Sequence, residues 1–244
     1  MNTYVDNVTR AEAIRYIEEC VKKRKVGHVM TPNVDQIVRI ERDPYFKEIC
    51  DHADLMLVDG TPLLWISKFY GTPIKEKICG SDLVPDLCSV AAKKGYRVFL
   101  LGAAEGVAAK AAVNLQQKYP GLIIAGTYSP PFGFEKDKDE IDRINQILLK
   151  SKADLLFVGM GVPKQDIFIY ENMQKYQIPM SFSIGATIDF EAGVQKRAPK
   201  WINKIGMEWL YRLCSDPKRM FKRYILDDTQ IFKLAMKYYP HKQN

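Results

Sequence analysis

The sequence predicts an α/β fold, in which a mostly parallel, Rossmann-like sheet has helices on both faces and a helical appendage follows at the C-terminus. Short apolar segments recur along the 244 residues, and helical stretches separate several of them. Most of these segments end in glycine or a small polar residue. Strands that alternate with helices in this way are typical of a parallel sheet covered on both faces. With 47% hydrophobic and 27% charged residues, the chain has the composition of an ordinary globular protein.

The first predicted element is a helix near the N-terminus, where Thr9 and Glu12 have the spacing of a capping box. Further helices are predicted between the strands, for example over 105–118 and 138–150. Six segments have the length and apolar character of buried strands. These strand segments are 27–31, 54–58, 97–101, 122–126, 154–158 and 180–184.

The ends of these strands predict the position of a ligand site. In open parallel sheets, ligands bind beyond the carboxyl ends of the strands, because those ends meet at one edge of the sheet. Five residues at predicted strand ends are therefore expected around a single crevice. They are Thr31, Asp59, Gly102, Gly159 and Gly185.

Asp59 is the most informative of these residues, because it follows the apolar run 55–58 directly and Gly60 follows it. A buried charge is costly unless it is paired or functional. In one interpretation, Asp59 caps the helix that begins at Thr61. In the other, it is a general base, since a partly desolvated carboxylate accepts a proton more readily near neutral pH. The residues alone leave both interpretations open.

Two further helix starts carry candidate binding residues. Asn33 and Gln36 have the spacing of a capping box that starts a helix after Thr31. Thr31 and Asn33 are also suited to a sugar hydroxyl or a phosphate at that helix N-terminus. Ser81 is expected to cap another helix, and Lys77 close by is a candidate to neutralise a phosphate.

The segments 100–106 and 158–166 are glycine-containing turns from strand to helix. Neither has the G-x-G-x-x-G spacing, since Lys164 occupies the third position in the second segment, and neither is a P-loop. Gly102 and Gly161 still allow backbone N–H groups to approach a bound group closely, which suits a nucleotide diphosphate.

The positive charge of the chain is concentrated at its C-terminal end. Residues 196–244 carry a formal charge of +8 and residues 1–195 a charge of −1. We therefore predict a catalytic core over 1–195 and a basic amphipathic appendage over 196–244. Arg212, Arg219 and Arg223 in the appendage are candidates to clamp substrate phosphates or to lie on anionic lipid, or they belong to a solvated basic surface. No recognised nucleic-acid motif is present, so no nucleic-acid partner is expected.

Several protein classes are not expected. The chain has no apolar run of 18 residues and no apolar signal core near its start, so we expect a cytosolic protein without a transmembrane helix. The five scattered cysteines indicate reduced thiols, with a catalytic Cys–His pair left open, and the three histidines lack zinc-ligand spacing. The single D-x-D pattern, within 137–140, is interpreted as a solvated helix start, so no metal or other cofactor is expected.

Several motifs together resemble the WecG/TagA/CpsF family of bacterial glycosyltransferases. They are "TPNVDQ" at 31–36, "LVDGTP" at 57–62, "GSDL" at 80–83, "GMGVPKQ" at 159–165, and "KRAPKW", "GMEWLYRL" and "DPKRMFKRY" within 196–224. The motifs occur in order over nearly the whole chain. Within the family, the chain is most similar to the TagA branch, the N-acetylmannosaminyltransferases of wall teichoic acid synthesis.

The resemblance implies an inverting, metal-independent transfer of N-acetylmannosamine from UDP-N-acetylmannosamine. The implied acceptor is undecaprenyl-diphosphate-linked N-acetylglucosamine in the cytoplasmic leaflet, and the implied product has a β-1,4 linkage. The family assigns the base to Asp59, with Thr31 beside the sugar, and implicates Gln165, Arg212 and Arg219. Lys77 stands where the family is expected to have arginine, which weakens the expectation of a bidentate phosphate contact.

The resemblance also implies a protein bound peripherally to the cytoplasmic membrane through its appendage, and a homo-oligomer of the core. Two alternatives remain open at this point. One is a relative that uses UDP-N-acetylmannosaminuronic acid or UDP-glucose as the donor. The other is a non-catalytic nucleotide-binding module whose basic tail binds a membrane or nucleic acid.

Overall fold

The computed structural model describes residues 2–199, 202, 210, 211, 213, 217 and 229–239. Within these residues, six parallel strands form one sheet in the order β2-β1-β6-β5-β3-β4. The strands are β1 (Gly27–Met30), β2 (Leu55–Met56), β3 (Arg97–Gly102), β4 (Ile123–Tyr128), β5 (Leu155–Gly159) and β6 (Met180–Ser183). The predicted fold class is confirmed, and each predicted strand segment overlaps an observed strand.

Helices connect the strands and cover both faces of the sheet. In the described residues they are α1 (Arg10–Lys22), α2 (Val34–Arg42), α3 (Pro44–Asp51), α4 (Thr61–Phe69), α5 (Gly80–Lys94), α6 (Val107–Lys118), α7 (Lys138–Ser151), α8 (Lys164–Tyr176), α9 (Thr187–Glu191) and α10 (Gln230–Lys237). A short 3-10 helix, Phe134–Lys136, precedes α7. The helices predicted over 105–118 and 138–150 are confirmed as α6 and α7.

The N-terminal capping box is also confirmed. The backbone N–H of Thr9 donates to the carboxylate of Glu12 at 2.7 Å, and the N–H of Glu12 donates to the Thr9 hydroxyl at 3.3 Å. Two N–H groups that the first turn of α1 leaves without helical partners are thereby satisfied.

Strands β1, β2, β3, β5 and β6 are buried on both faces, which explains their continuous apolar runs, whereas the edge strand β4 is only partly buried. Val29 and Phe157 pack on one face of the sheet in a core cluster shared with α1, α5 and α6. Met30 faces the opposite side, in a cluster shared with α2, α3 and α4, and Leu156 packs in a third cluster with α7 and α8. The sheet therefore forms the middle layer of three, and only its edges remain for a ligand.

The C-terminal helix α10 packs against the core. Ile231 and Ala235 are buried in the cluster that contains α2, α3 and α4, and the Tyr70 hydroxyl donates to the Ala235 carbonyl at 2.9 Å. None of the helices in the described residues combines the length and the apolar character needed to cross a bilayer. The division between 1–195 and 196–244 stays a prediction, and the predicted binding residues Arg212, Arg219 and Arg223 lie outside the described residues.

Four of the cysteines can be described, and all are buried free thiols, as predicted: Cys20, Cys50, Cys79 and Cys88. Cys214 lies outside the described residues. The D-x-D pattern begins a helix, as predicted, because the Asp137 carboxylate caps α7 by accepting from the N–H groups of Asp139 and Glu140 at 3.0 and 3.2 Å. Among the described residues, no group of three or more His, Cys, Asp or Glu side chains could hold a metal ion.

Candidate active site

A cleft of about 510 Å³ opens at the carboxyl edge of the sheet. All five residues that the sequence places at strand ends line it: Thr31, Asp59, Gly102, Gly159 and Gly185. Asn33, Gly161, Lys164 and Gln165, which are also predicted binding residues, line the same cleft. The structure thus brings together residues that are more than 150 positions apart, although their roles remain predictions.

Asp59 is half-buried at the end of the segment that follows β2. Its N–H donates to the Pro32 carbonyl at 3.0 Å. This hydrogen bond joins the segment that follows β2 to the segment that follows β1. The N-cap of α4 is Gly60, with a φ of +129°, so Asp59 lies one residue outside the helix. Asp59 lines the cleft next to the N-terminus of α4, where no side chain of the described residues caps the helix.

Thr31 and Asn33 lie between β1 and α2. The predicted capping box is present, since the Asn33 side-chain oxygen accepts from the Gln36 N–H at 3.3 Å and the Gln36 side chain accepts from the Asn33 N–H at 3.2 Å. The cap uses the oxygen of the Asn33 amide, so its amino group is the part left to a ligand. The Thr31 hydroxyl lies 3.5 Å from the Ser183 carbonyl, which holds it at the strand end.

The floor of the cleft consists of backbone. Gly102 has a φ of +113°, and a Cβ atom there would lie 2.4 Å from the Gly159 carbonyl oxygen. A Cβ atom at Gly159 would lie 2.8 Å from the Gly185 carbonyl oxygen. Three neighbouring strand ends therefore approach one another so closely that only glycine is accommodated, and a ligand can approach the peptide groups directly.

The turn from β5 into α8 contributes a polar corner of the cleft. Gln165 is buried, and its side-chain oxygen accepts from the Gly185 N–H at 3.1 Å. As with Asn33, the remaining hydrogen-bonding group of the amide is a donor. The N-terminus of α8 carries partial positive charge, which favours an anion at this corner.

Lys164 is already engaged. Its ammonium forms an ion pair with Glu135 at 2.5 Å and lies 5.0 Å from the centre of the Phe132 ring. These contacts connect α8 to the segment 130–134, which forms one side of the cleft. One of the three donors of the Lys164 ammonium is thus used by Glu135, and a phosphate would share the ammonium with this carboxylate or replace it.

One expectation about the start of α5 needs correction. Ser81 is not the cap, because α5 begins at Gly80 and Cys79 occupies the N-cap position. Lys77 is not among the residues that line the cleft, and its charge lowers the pKa of Asp82, so its role toward a phosphate stays a prediction. The start of α5 is held by Arg197, which is 116 positions from Ser81 in the sequence.

Arg197 joins the beginning of the segment 196–244 to α5. Its guanidinium donates to the Asp82 carboxylate at 2.7 Å and to the Ser81 carbonyl at 3.0 Å, and Asp82 accepts from the Cys79 thiol at 3.0 Å. Burial, together with the nearby carboxylates of Asp59 and Asp82, raises the pKa of Cys79 to about 12. Cys79 therefore remains a thiol at neutral pH, which argues against a nucleophilic cysteine beside Asp59.

Sequence reasoning missed several lining residues, including Ser183, Asp189 and Gln195 and the aromatic residues Phe132 and Phe134. Ser183 belongs to a predicted strand, and only the position of its strand end pointed toward the cleft. Asp189 and Gln195 follow β6 in a region without a recognisable pattern. No local signal in the sequence distinguishes these residues from ordinary surface residues.

Comparison with known proteins shows which family and which relatives this chain is similar to. The model of the glycosyl transferase WecG/TagA/CpsF family matches residues 1–244. An N-acetylglucosaminyldiphosphoundecaprenol N-acetyl-beta-D-mannosaminyltransferase of Bacillus spizizenii is 32% identical over 198 residues, covering 81% of this chain and 74% of its own length.

Proteins of the same name occur among the other similar sequences. The protein from Bacillus subtilis strain 168 is 29% identical, with 93% of this chain and 89% of its own length covered. The protein from Staphylococcus aureus strain MW2 is 28% identical, with coverages of 88% and 83%. The similarity thus extends over most of each relative as well as most of this chain.

Proposed function

This chain belongs to the WecG/TagA/CpsF family of glycosyl transferases, and we propose that it transfers N-acetylmannosamine from UDP-N-acetylmannosamine to N-acetylglucosamine linked to diphosphoundecaprenol. The similar proteins carry the name of that N-acetylmannosaminyl transfer. We also propose that the reaction inverts the configuration at the anomeric carbon and needs no metal ion. The product would have a β-1,4 linkage and belong to wall teichoic acid synthesis. The single observation that carries the proposal is the position of Asp59 in the lining of the cleft.

In the proposed mechanism, Asp59 takes the proton of the acceptor hydroxyl as that oxygen attacks the anomeric carbon. Attack from the face opposite the leaving group requires one base and gives inversion in a single displacement. The bond from the anomeric carbon to the UDP oxygen breaks as the new glycosidic bond forms, and the electron pair leaves with UDP. Thr31 lies beside this position and is suited to a hydroxyl of the sugar.

The leaving UDP develops negative charge that the protein must stabilise. The N-terminus of α8, the glycine floor and the remaining amide donors of Asn33 and Gln165 supply positive potential and hydrogen-bond donors around the cleft. Arg212, Arg219 and Arg223 are proposed to complete this environment from the appendage. Such fixed donors act without the reorganisation that water would require.

The lipid-linked acceptor also gives the basic segment a function. A donor in solution and an acceptor in the membrane meet only at the membrane surface, so we propose that the protein binds peripherally to the cytoplasmic face. The charge of +8 on residues 196–244 supports an attraction to anionic lipid. Truncation after residue 195 is expected to remove vesicle binding and transfer together.

The decisive experiment replaces Asp59 by asparagine. We expect D59N to bind UDP with nearly unchanged affinity in calorimetry and to transfer the sugar about 10²–10⁴-fold more slowly. Asp35→Asn is the matched control, because Asp35 is a carboxylate in the same cleft that the mechanism does not use. Transfer by D59N at more than about a tenth of the wild-type rate would falsify the role of Asp59 as base.

The substrate assignment needs separate assays. A panel of UDP-N-acetylmannosamine, UDP-N-acetylmannosaminuronic acid and UDP-glucose identifies the donor, and NMR of the product identifies the linkage. An unchanged rate in the presence of a chelator is expected for a metal-independent reaction. Release of UDP with the uronate donor alone would assign the chain to a different donor within the same family.

A further inference from the structure

An exposed cluster of apolar side chains covers the outer sides of α4 and α10, away from the cleft lining. We call it the aromatic patch, and it consists of Trp65, Phe69, Phe232, Met236 and Tyr239, which are 40–67% exposed. The rings of Phe69 and Tyr239 lie 4.8 Å apart, and the Tyr70 hydroxyl binds the Ala235 carbonyl. The two helices thus present one continuous surface.

Helix α10 is apolar on two sides. Ile231 and Ala235 are buried in the core, whereas Phe232 and Met236, one turn apart, are 60% and 67% exposed. Lys233 and Lys237 lie opposite the buried side of α10, so the exposed apolar pair occupies the flank of the helix beside them. An exposed apolar flank indicates a non-aqueous neighbour. Trp65 and Phe69 repeat the same one-turn spacing on the outer side of α4.

Helices α4 and α10, which carry the aromatic patch, contain only positive charges. Lys68 lies in α4 and Lys233 and Lys237 lie in α10, while neither helix contains an aspartate or glutamate. The nearby carboxylate of Glu41 accepts from the Lys237 ammonium at 2.5 Å and from the Tyr238 hydroxyl at 3.0 Å. Since Lys237 and Glu41 neutralise each other, Lys68 and Lys233 supply the positive charge of this surface. Exposed aromatic residues with lysines and without acids have the chemistry of a surface that binds anionic lipid.

We propose that the aromatic patch inserts into the headgroup region of an anionic bilayer, so that α4 of the catalytic core contacts the membrane together with α10 of the segment 196–244. A second copy of the chain is a poorer occupant, since a symmetric contact would bring the lysines of two copies together. Trp and Tyr are the residues most suited to the boundary between headgroups and acyl chains.

Helix α4 connects the aromatic patch to the candidate base. The helix begins two residues after Asp59, and Trp65 and Phe69 follow Asp59 by six and ten residues. At a rise of 1.5 Å per residue, their Cα atoms lie about 6 and 12 Å along the helix axis from Thr61. An inserted patch would therefore hold the cleft within reach of a diphosphate at the bilayer surface. This consequence for catalysis rests on the proposed function, whereas lipid binding by the patch does not.

The first test measures co-sedimentation of the full chain with vesicles. The double variant Trp65→Ser/Phe69→Ser is expected to bind vesicles of phosphatidylglycerol and phosphatidylcholine at least roughly tenfold more weakly than the wild type. Val113→Ser/Leu149→Ser is the matched control, because these residues of α6 and α7 are 53% and 44% exposed, and its binding is expected to be unchanged. Unchanged binding of the patch variant would overturn the proposal, as would an equal loss in the control.

A second test leaves every residue of the aromatic patch in place. Trp201→Phe/Trp209→Phe leaves Trp65 as the sole tryptophan of the chain. Its emission is expected to shift to shorter wavelength on the same vesicles and to be quenched by brominated acyl chains. Bound protein with unshifted and unquenched emission would contradict insertion, and so would a change of oligomeric state in the Trp65→Ser/Phe69→Ser variant without a change in vesicle binding.

Activity separates this proposal from the proposed function. Transfer by the patch variant to a water-soluble, short-chain acceptor is expected to stay close to that of the wild type, while transfer to a vesicle-embedded acceptor falls. An equal loss with both acceptors would overturn the proposal, because the residues would then serve the cleft. Vesicle binding by the patch in a protein that shows no transfer at all would leave this inference standing and the proposed function without support.

Discussion

The Nε2 atom of His28 lies 2.8 Å from the Ser183 hydroxyl, and this buried contact joins β1 to β6 directly behind the cleft. His28 is 1% exposed, and Ser183 lines the cleft. Burial, only partly opposed by the charge of Asp54, lowers the pKa of His28 to about 3. The ring is therefore neutral at physiological pH and acts as a fixed hydrogen-bonding partner behind the site.

The depressed pKa of His28 predicts acid sensitivity. In the unfolded chain, His28 is protonated below its ordinary pKa of 6.5, whereas in the folded chain it stays neutral until about pH 3. Because the unfolded state binds the extra proton between these pH values, the free energy of unfolding falls as the pH is lowered from 6.5 to about 3. His28→Gln removes this titration and keeps a hydrogen-bonding side chain. Urea unfolding at neutral pH and near pH 5 is expected to show a smaller loss for the variant than for the wild type. Equal losses would contradict the prediction.

Asp166 predicts the opposite dependence on pH. It is fully buried in α8, and within the described structure neither carboxylate oxygen makes a hydrogen bond of normal geometry. Burial raises its pKa to about 7, and the Ser183 hydroxyl and the Arg39 charge offset this only in part. Because the folded pKa lies above the ordinary 3.8, the stability from the protonated form is complete below that value and is lost as the pH rises through about 7.

Asp166→Asn is the test of this assignment, because it supplies a neutral group of nearly the same shape. Its melting temperature relative to the wild type is expected to rise as the pH is raised from about 4 to 7. Thermal unfolding at a series of pH values measures the difference. A constant difference across the range would show that Asp166 does not titrate there.

Gly102→Ala is expected to destabilise the fold strongly, because the new Cβ atom would meet the Gly159 carbonyl oxygen at 2.4 Å on a backbone with φ of +113°. We expect a loss of at least about 3 kcal/mol in the free energy of unfolding. Gly106→Ala is the matched control, since Gly106 also has a positive φ, +78°, but has nothing within 4 Å of the new atom. Its loss should be about 1 kcal/mol, and similar losses for both variants would show that the strand ends can separate.

The ion pair between Arg197 and Asp82 is expected to hold the start of the segment 196–244 against α5. Burial opposes ionisation of Asp82, but hydrogen bonds from Cys79 and Arg197 outweigh it and lower its pKa, so the contribution is present above the ordinary value of 3.8 and lost as the pH falls. A double-mutant cycle with Asp82→Asn and Arg197→Gln should give a coupling energy of about 1 kcal/mol at neutral pH and less in acid. Additive effects would rule out the coupling.

The elements of the fold were predictable because their signals are local. The pairs Thr9–Glu12 and Asn33–Gln36 identify helix starts by a spacing of three residues, and both capping boxes are present. The apolar runs identify strands because a parallel sheet buries both of their faces. The strand ends then identify the cleft, since topology alone brings Thr31, Asp59 and Gly185 to one edge of the sheet.

The details of the site were less predictable because they depend on contacts between distant segments. Ser81 has the chemistry of a cap, yet Arg197, 116 positions away, binds its carbonyl, and the helix starts at Gly80. Lys164 appeared available to a phosphate until the structure showed its ion pair with Glu135. His28 and Asp166 are buried, and the sequence around them has no alternation of polar and apolar residues. Their hydrogen-bonding partners therefore could not be predicted.

The order of strands has a consequence for how the protein is made. β5 and β6 occupy the centre of the sheet, between the pair β2-β1 and the pair β3-β4. During translation both outer pairs therefore leave the ribosome before the strands that join them, and each exposes an unpaired inner edge until then. We expect ribosome-bound chains that end before Met180 to be protease-sensitive and to bind chaperones. The cleft would form only after β6 is made, in about the last quarter of synthesis.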